Sequence, residues 1–321
     1  MKKKLLFIAP DYYDFDKVVL DGLLAYSGYE VMSLTSNFNY RYKNFTEKIY
    51  NFFLKTFLRK NLKRERTEHY ILEKLDQAES YDVLLVNAPY LLTPHQLDIA
   101  LKKSKQSIVI FWDSIKKIPM QEDYINKFDV VYSFEPEDCK RYGLKKITNF
   151  YFSEEKSLSQ CYDVCYLATY DDRIGVAERI FDYFKTHSIK AKGRIFVSKA
   201  HKKVPLLPQN IEVTTSIMPF TTAYKYYLDS KIILDIAHPH QKGLSFRPYE
   251  AIGFRKKLIT TNKDIRNYDF YNPHNIFVID DVNDFVIPET FFNTDYCELP
   301  SALKEKYHIK NWIKHILDDE H

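Results

Sequence analysis

A short segment between two predicted strands carries side chains that suit a nucleoside diphosphate. Residues 232–236 form an apolar run with one Asp, which is typical of a strand buried on both faces. Ser245 is a favourable helix N-cap, and the free N–H groups at a helix start attract phosphate. Arg247 could add a planar contact to phosphate from the first turn, and Glu250, one turn on, suits paired ribose hydroxyls.

The elements around these residues place them at one edge of a sheet. Pro248 is tolerated in the first helical turn, and Gly253 is predicted to end the helix in a left-handed conformation. Residues 258–261 form the next strand, so about twenty residues are available for a right-handed parallel crossover. Ligands of open α/β sheets bind beside the carboxyl ends of the strands. Gly243, in the loop before the helix, would let the backbone approach such a ligand closely.

The length and composition of the chain indicate two α/β domains. The chain has 321 residues and 45% hydrophobic content, which is ample for two cores. A strand over residues 5–9, a helix over 16–26 and a strand over 30–34 form a β-α-β opening of Rossmann-like form. With only seven glycines, the chain contains neither a dinucleotide-binding fingerprint nor a Walker A motif. Residues 149–161 lose periodicity and become polar, which predicts a linker.

The remaining predicted elements continue the alternation of strand and helix. Further strands are predicted over residues 82–87, 107–112, 129–134, 163–168, 193–197, 211–214 and 276–280, and helices over 220–228 and 301–317. Arg173 lies in the loop after the strand at 163–168 and could approach phosphate; the alternative is a structural arginine.

Several ionisable side chains follow predicted strands of the first half. Asp14 and Asp16 follow the first strand, His95 lies just inside the helix after the third, and Asp113 follows the fourth. Each could act as a general base on an acceptor hydroxyl, because carboxyl ends of parallel strands share one edge of the sheet. The alternative for each aspartate is a turn former or N-cap, and for His95 a structural role.

The segment after residue 240 also resembles a known group of enzymes. The resemblance rests on Gln241-Lys242-Gly243-Leu244-Ser245, on Arg247, Glu250, Ala251 and Gly253, and on residues 256–262 and 269–276. In the first half it extends to residues 111–114, 128–129 and 133–134. In these residues the chain resembles bacterial GT-B glycosyltransferases of lipopolysaccharide and capsular polysaccharide biosynthesis.

This resemblance implies an α/β fold of the GT-B type, with two Rossmann-like domains facing a central cleft. Residues 1–150 would bind the acceptor, residues 162–300 would bind the nucleotide-sugar donor, and residues 301–321 would form a helix that packs back on the first domain. The implied donor-binding residues are Gln241, Gly243, Leu244, Ser245, Arg247 and Glu250, to which Arg173 and His240 are added as candidates. Related retaining enzymes often carry two glutamates eight positions apart. Glu250 matches the second, but Lys242 stands at the position of the first, which leaves the stereochemical course open.

The implied activity is transfer of a sugar from a nucleotide-sugar donor to a lipopolysaccharide, capsule or related surface-glycan acceptor. No D-x-D motif is present, and His238 and His240 lack a carboxylate cluster, so neither a metal nor another cofactor is predicted. Two other classes stay open: a nucleotide-sugar epimerase on a similar frame, and a non-catalytic nucleotide-binding component of a polysaccharide assembly complex. No nucleic-acid partner is predicted.

Residues 41–66 differ from the rest of the chain in charge. They contain nine Lys or Arg and two Glu, a net charge of +7, whereas the whole chain carries +4. Phe45, Ile49, Phe52, Phe53 and Phe57 recur at helical spacing, which predicts one basic amphipathic helix able to lie on anionic lipid. The alternative is a helix that packs this apolar face on the domain.

The cysteines and the hydropathy pattern indicate a cytoplasmic protein. The four cysteines lack the spacing of a zinc site and fit a reducing compartment. No apolar stretch is long enough for a membrane-spanning helix, and the apolar run after Met1 is too short for a signal peptide. The predicted location is the cytoplasm, with peripheral attachment to the inner face of the membrane as a further possibility.

Overall fold

The computed structural model describes residues 2–38, 40, 43–58, 61–77, 79–155, 159–198, 207–239 and 241–318, without the side chains of 56–58 and 63–64. Backbone contacts divide the chain into two compact units. The first unit contains Met1–Tyr12 and Val19–Ser133, and the second contains Tyr13–Val18 and Phe134–Glu320.

The first sheet is built around central apolar strands that are buried along most of their length. Its strands are β1 (Lys4–Ala9), β2 (Glu30–Thr35), β3 (Tyr81–Asn87), β4 (Ser104–Phe111), β5 (Val130–Ser133) and β6 (Lys145–Lys146), in the order β2-β1-β3-β4-β5-β6. Leu5 lies opposite Val31 on β2 and Val83 on β3, and the pairs from β1 to β5 are parallel. Each predicted strand of the first half is present, with ends that differ by a few residues.

The helices of the first half are α1 (Phe15–Tyr26), α2 (Phe45–Leu58), α3 (Leu62–Leu75), α4 (Pro94–Lys102) and α5 (Pro136–Tyr142). The prediction of one continuous helix over residues 41–66 is wrong, because α2 ends at Leu58 and α3 begins at Leu62. The side-chain amide oxygen of Asn51, a buried residue, accepts the backbone N–H of Leu62 at 2.8 Å. This bond joins the middle of α2 to the start of α3.

The second sheet is parallel and follows the same architecture. Its strands are β7 (Tyr162–Thr169), β8 (Ala191–Phe196), β9 (Ile211–Thr214), β10 (Ser230–Asp235), β11 (Lys257–Thr260) and β12 (Ile276–Val278), in the order β12-β11-β10-β7-β8-β9. Val164, Ile232 and Ile259 of its central strands are at most 1% exposed. The continuous apolar runs in these strands are explained by burial on both faces of the sheet.

The helices of the second half are α6 (Ile174–Thr186), α7 (Phe220–Ala223), α8 (Phe246–Phe254), α9 (Glu289–Asn293), α10 (Ser301–Lys306) and α11 (Ile309–Asp318). Two predictions need correction. The terminal helix predicted over residues 301–317 is two helices, interrupted at Tyr307 and His308. Gly253 does not end α8: Arg255 takes the left-handed conformation, with φ of 54°.

The reason for a glycine at position 253 is close packing. A Cβ there would lie 2.6 Å from Cδ2 of the fully buried Tyr151, so a side chain would displace that ring. Tyr151 also pairs with the start of α11, because Ile309 donates its backbone N–H to the Tyr151 carbonyl at 2.9 Å. The polar stretch predicted as a linker therefore begins with residues that are part of a core.

Helix α11 is amphipathic, and its apolar face is buried. Ile309, Trp312, Ile313 and Ile316 are buried on this face. The indole N–H of Trp312 donates to the Thr148 carbonyl at 2.8 Å. In the described part of the chain, no helix combines the length and the apolar character needed to cross a membrane.

Candidate functional site

The second sheet contains a topological switch point between β7 and β10. From β7 the chain builds outward through β8 and β9, then returns to the other side of β7 to form β10, β11 and β12. The strands β7 and β10 are parallel neighbours, with Ile232 opposite Val164. A crevice at the carboxyl ends of such a pair is the usual ligand site of an open α/β sheet. The predicted donor-site residues can be placed relative to this crevice.

Ser245 is the N-cap of α8, as predicted. Its Oγ accepts the backbone N–H of Arg247 at 3.3 Å, and its backbone angles, φ −64° and ψ −178°, are extended. The same hydroxyl donates to Oδ1 of Asp235 at 2.8 Å. The start of α8, with its remaining N–H groups and partial positive charge, is thereby fixed to the carboxyl end of β10.

Arg247 reaches across the switch point from α8 to β7. Its Nη1 lies 3.4 Å from Oδ1 of Asp235, and its Nη2 donates to the backbone carbonyl of Leu167. The Arg247 side chain is 15% exposed and the Asp235 side chain 1% exposed. The guanidinium therefore joins the two strands, and its contact with phosphate stays a prediction.

Arg173 makes a second link across the crevice. Its Nη2 pairs with Oδ2 of Asp171 at 2.6 Å, and its Nη1 donates to the Ile236 carbonyl at 2.9 Å. Two arginines are thus held at the carboxyl ends of β7 and β10. Positive charge fixed in this way is already oriented before an anion arrives.

Glu250 is a buried carboxyl beside these charges. The residue is 6% exposed, and none of the described residues forms a hydrogen bond with its carboxyl oxygens. Burial raises the pKa of Glu250 to about 7, a shift that Arg247 opposes and Asp235 reinforces. Because its oxygens have no hydrogen-bond partner among the described residues, this carboxyl can accept donors from a ligand.

Because the pKa of Glu250 is raised, the stability of the protein should depend on pH. The ordinary value is 4.5, and the folded value is about 7, so the folded protein binds more protons between these values. The free energy of unfolding should therefore fall by up to about 3 kcal/mol as pH rises through this window. Denaturation of Glu250→Gln and the parent across a pH series measures this difference. The variant should gain relative stability as pH rises from 4 to 8, whereas a pH-independent difference would contradict the assigned pKa.

The loop before α8 is held by a carboxylate that the sequence analysis did not identify. Oε2 of Glu135, which is 2% exposed, accepts the N–H groups of Lys242 at 2.8 Å and Gly243 at 3.2 Å. A Cβ at Gly243 would lie 2.5 Å from the carbonyl oxygen of Phe134. The close approach that this glycine permits is therefore to Phe134, and an approach to ligand stays a prediction.

The other residues predicted for this loop have defined backbone positions. Gln241 donates its N–H to the His238 carbonyl at 3.0 Å. Leu244 is buried, and its carbonyl accepts the side-chain amide of Asn149 at 2.8 Å. His240 lies outside the described residues.

The predicted catalytic side chains lie at the ends of β1, β3 and β4. Asp113 follows β4, is one-third exposed, and pairs its Oδ1 with Nζ of Lys117 at 2.6 Å. Asp14 has a φ of 66° and lies 2.5 Å from the Lys17 ammonium, and Asp16 lies in the first turn of α1. His95 is exposed in the first turn of α4. Their catalytic roles stay predictions.

Asp235 is the main residue that the sequence analysis left without a role. Its Oδ1 accepts the Ser245 hydroxyl, and its Oδ2 accepts the Thr260 hydroxyl at 2.8 Å. A single Asp at the end of an otherwise apolar strand was the available signal. Glu135 gave no comparable local signal, because its partners are more than a hundred residues away in sequence.

The described residues contain no group of three or more His, Cys, Asp or Glu arranged to hold a metal ion. That the protein works without a metal stays a prediction. The described cationic side chains at this edge include the two arginines, each of which is paired with an aspartate.

Sequence comparison with protein-family models finds no match, and comparison with curated proteins finds none either. Comparison with solved structures does find matches. An α-glucosyltransferase in complex with UDP-glucose and DNA containing an abasic site matches with a TM-score of 0.53 and 11% identity, over 99% of this chain and 94% of that chain.

Two further structures match along nearly the whole chain. The catalytic domain of starch synthase IV from Arabidopsis thaliana, bound to ADP and acarbose, has a TM-score of 0.50 and 8% identity, over 100% of this chain and 96% of that chain. The apo lipopolysaccharide outer core galactosyltransferase WaaB has a TM-score of 0.47 and 12% identity, over 98% of this chain and 96% of that chain. At such identities the first two likenesses establish the fold, which is the GT-B fold predicted from the sequence.

Proposed function

We propose that this protein is a glycosyltransferase that takes its sugar from a nucleotide-sugar donor. The observation that carries the proposal is Glu250, a buried carboxyl without a hydrogen-bond partner among the described residues, at the switch point of the second sheet. Its carboxylate would accept the two ribose hydroxyls. The N-terminus of α8 would hold the diphosphate, with Arg247 and Arg173 contributing positive charge.

We place the general base of the reaction in the first unit. Asp113 is the first choice because it follows a buried strand and belongs to the segment that resembles the glycosyltransferases. Its carboxylate would remove the proton of the acceptor hydroxyl as that oxygen attacks the sugar. The helix dipole and the arginines would stabilise the leaving diphosphate without a metal.

Incubation of the protein with nucleotide sugars, with and without acceptor, tests this reaction class. Release of nucleoside diphosphate that depends on an acceptor supports transfer. Conversion of the donor in the absence of any acceptor would support the epimerase instead. Binding without turnover under any acceptor would indicate a non-catalytic component.

We propose further that the acceptor is a lipopolysaccharide, capsule or related surface glycan presented at the cytoplasmic face of the membrane. Four apolar side chains on α2 are exposed: Phe45 by 73%, Ile49 by 41%, Phe52 by 65% and Phe53 by 52%. The alternative in which this face packs on the domain is therefore wrong for these four residues. Phe57 lies outside the described side chains.

Charge complementarity favours anionic lipid as the occupant of this face. The segment 41–66 carries a net charge of +7, and the described Lys48 and Lys55 lie on α2 itself. An apolar helix face can enter the headgroup boundary while basic residues meet anionic lipid. Each such residue contributes about 1 kcal/mol close to the surface, and the contribution decreases with salt.

Sedimentation with vesicles measures this attachment. The protein should sediment with anionic vesicles at low salt, should not with neutral ones, and should be released as salt rises. Replacing Lys55, Arg59, Lys60 and Lys63 by Gln should abolish the preference and leave nucleotide binding unchanged. A matched control replaces the same number of exposed lysines elsewhere: Lys116, Lys127, Lys185 and Lys225. Equal recovery with both vesicle types at low salt would reject the membrane assignment.

A further inference from the structure

Glu135 connects two segments of the second unit that are far apart in sequence. Its Oε2 accepts the backbone N–H groups of Lys242 at 2.8 Å and Gly243 at 3.2 Å, in the loop that leads into α8. Its Oε1 accepts the N–H of Glu137 in a longer bond of 3.4 Å, at the start of α5. The residue is 2% exposed. A buried carboxyl is costly unless its oxygens are hydrogen-bonded, so these bonds give the group a defined position.

The loop packs closely against the chain beside Glu135. A Cβ at Gly243 would lie 2.5 Å from the carbonyl oxygen of Phe134 and 2.5 Å from Cδ2 of its ring. Gly243 is not among the glycines with positive φ, so close approach is what requires a glycine here. The close approach and the pair of hydrogen bonds to Glu135 therefore belong to one arrangement, in which residues 134–135 support the loop.

The rest of the loop is held by side chains from two other segments. The side-chain amide of Asn262 donates to the Lys242 carbonyl at 3.1 Å, and that of Asn149 donates to the Leu244 carbonyl at 2.8 Å. Ser245, the N-cap of α8, is fixed to the end of β10 through its hydroxyl. Each residue from Lys242 to this N-cap thus has a polar contact outside the loop.

The hydrogen bonds to Glu135 also determine which N–H groups the loop can offer to a phosphate. Those of Lys242 and Gly243 are already bonded to the carboxylate. The N–H groups of the first turn of α8 lack intrahelical partners, as at any helix start. A phosphate at a helix start depends on the direction of these groups, which follows from the path by which the chain enters the helix. A loop that is held in advance also avoids the cost of ordering on binding.

We propose that Glu135 is a positioning residue for the donor diphosphate, because its carboxylate holds the loop before α8 in the shape that presents the helix start. This inference rests on the proposed function, which assigns the diphosphate to that helix start. Glu135 acts through the backbone of Lys242 and Gly243 and does not touch the nucleotide. The proposed ribose contact at Glu250 lies one turn further along α8, outside the loop.

Titration with nucleoside diphosphates and with the matching nucleosides measures this role. The probes are uridine, adenosine, guanosine, cytidine and thymidine and their diphosphates. Glu135→Ala should weaken diphosphate binding by about tenfold or more, as expected for the loss of bonds to a charged group. It should weaken nucleoside binding by less than about threefold, because the ribose contact is outside the loop. A general loss of structure would weaken both kinds of ligand alike.

Two further variants separate the carboxylate from other effects. Glu135→Gln keeps the side-chain volume and one acceptor oxygen but removes the charge, so it should show a smaller loss that is again confined to the diphosphate. Glu137→Ala is the matched control. Glu137 also contacts Lys242, by an ion pair of 2.7 Å between side chains that are 62% and 55% exposed. Such exposed pairs contribute little, so this variant should keep both affinities.

Hydrogen–deuterium exchange tests the hold on the loop without any nucleotide. The backbone amides of Lys242 and Gly243 should be protected in the parent and in Glu137→Ala. In Glu135→Ala they should exchange faster by about tenfold or more, because their acceptor is lost. The amides of the central strand β10 should keep their protection in all three proteins if the fold is intact.

Two results would overturn the proposal: unchanged exchange of the two amides in Glu135→Ala, or losses of affinity that are absent or equal for diphosphate and nucleoside. If Glu135→Ala does not fold, the same comparison is made with Glu135→Gln, and an absent or equal loss there has the same meaning. Failure of the parent to bind any diphosphate would reject the proposed function and, with it, the role toward phosphate. Parent binding with an equal affinity in Glu135→Ala would leave the proposed function intact and reject the role of Glu135 alone.

Discussion

Replacing Asp113 by Asn is expected to lower the rate of glycosyl transfer by about 10²–10⁴-fold, the usual contribution of a general base. The substitution keeps the size of the side chain and removes its ability to take a proton. The affinity for nucleotide should be unchanged, because the proposed donor site lies in the second unit. The measurement is turnover with saturating donor and acceptor, together with nucleotide affinity of the same samples.

The chain offers a close control for this substitution. Asp98 pairs with Lys102 on α4 at 2.7 Å. These two residues are four apart in sequence, as are Asp113 and Lys117. Asp98→Asn removes an ion pair of the same spacing outside the proposed site and should leave turnover intact. If Asp113→Asn remains active, the base is one of Asp14, Asp16 or His95, or the reaction retains configuration and uses no such base.

Replacing Glu250 by Ala is expected to weaken the binding of nucleoside diphosphate by about ten- to a hundredfold. Loss of hydrogen bonds to a charged group costs about 1.5–3 kcal/mol, which corresponds to this range of affinity. Because the contact is to ribose, the affinity for the free nucleoside should fall as well. Glu250→Gln, which keeps the side-chain volume, should show a smaller loss of the same kind. Glu289→Gln, an exposed carboxylate on α9, is the matched control.

Arg247 is less suitable than Glu250 for testing nucleotide binding by substitution. Its truncation would leave the fully buried Asp235 carboxylate without a compensating charge. Removing one partner of a buried ion pair costs about 3–5 kcal/mol of stability. A loss of binding in Arg247→Ala would therefore combine an altered fold with a lost contact.

The sequence predicts most of the elements that build the candidate site. Residues 232–236 are apolar enough to require burial on both faces, and the structure confirms a central strand at Ser230–Asp235. Ser245 is an N-cap by its residue type and position, and it caps α8 as expected. These features depend on local pattern and propensity, which a single sequence contains.

Features that depend on tertiary contacts were not predicted. Gly253 has the residue type of a helix terminus, but the packing of Tyr151 explains its presence and α8 continues past it. Glu135 binds two N–H groups of the loop before α8, from a position far away in sequence. The break between α2 and α3 interrupts a segment whose basic charge continues on both sides of it. Periodicity describes one face of a helix and does not fix where the helix ends.

Calorimetric titration with the diphosphates of uridine, adenosine, guanosine, cytidine and thymidine tests the central claim most directly. The claim is that a nucleoside diphosphate binds at the carboxyl ends of β7 and β10 with its ribose on Glu250. We expect at least one of these compounds to bind the parent protein, and to bind Glu250→Ala ten- to a hundredfold more weakly. Absence of binding to the parent, or equal affinity in the folded variant, would contradict it.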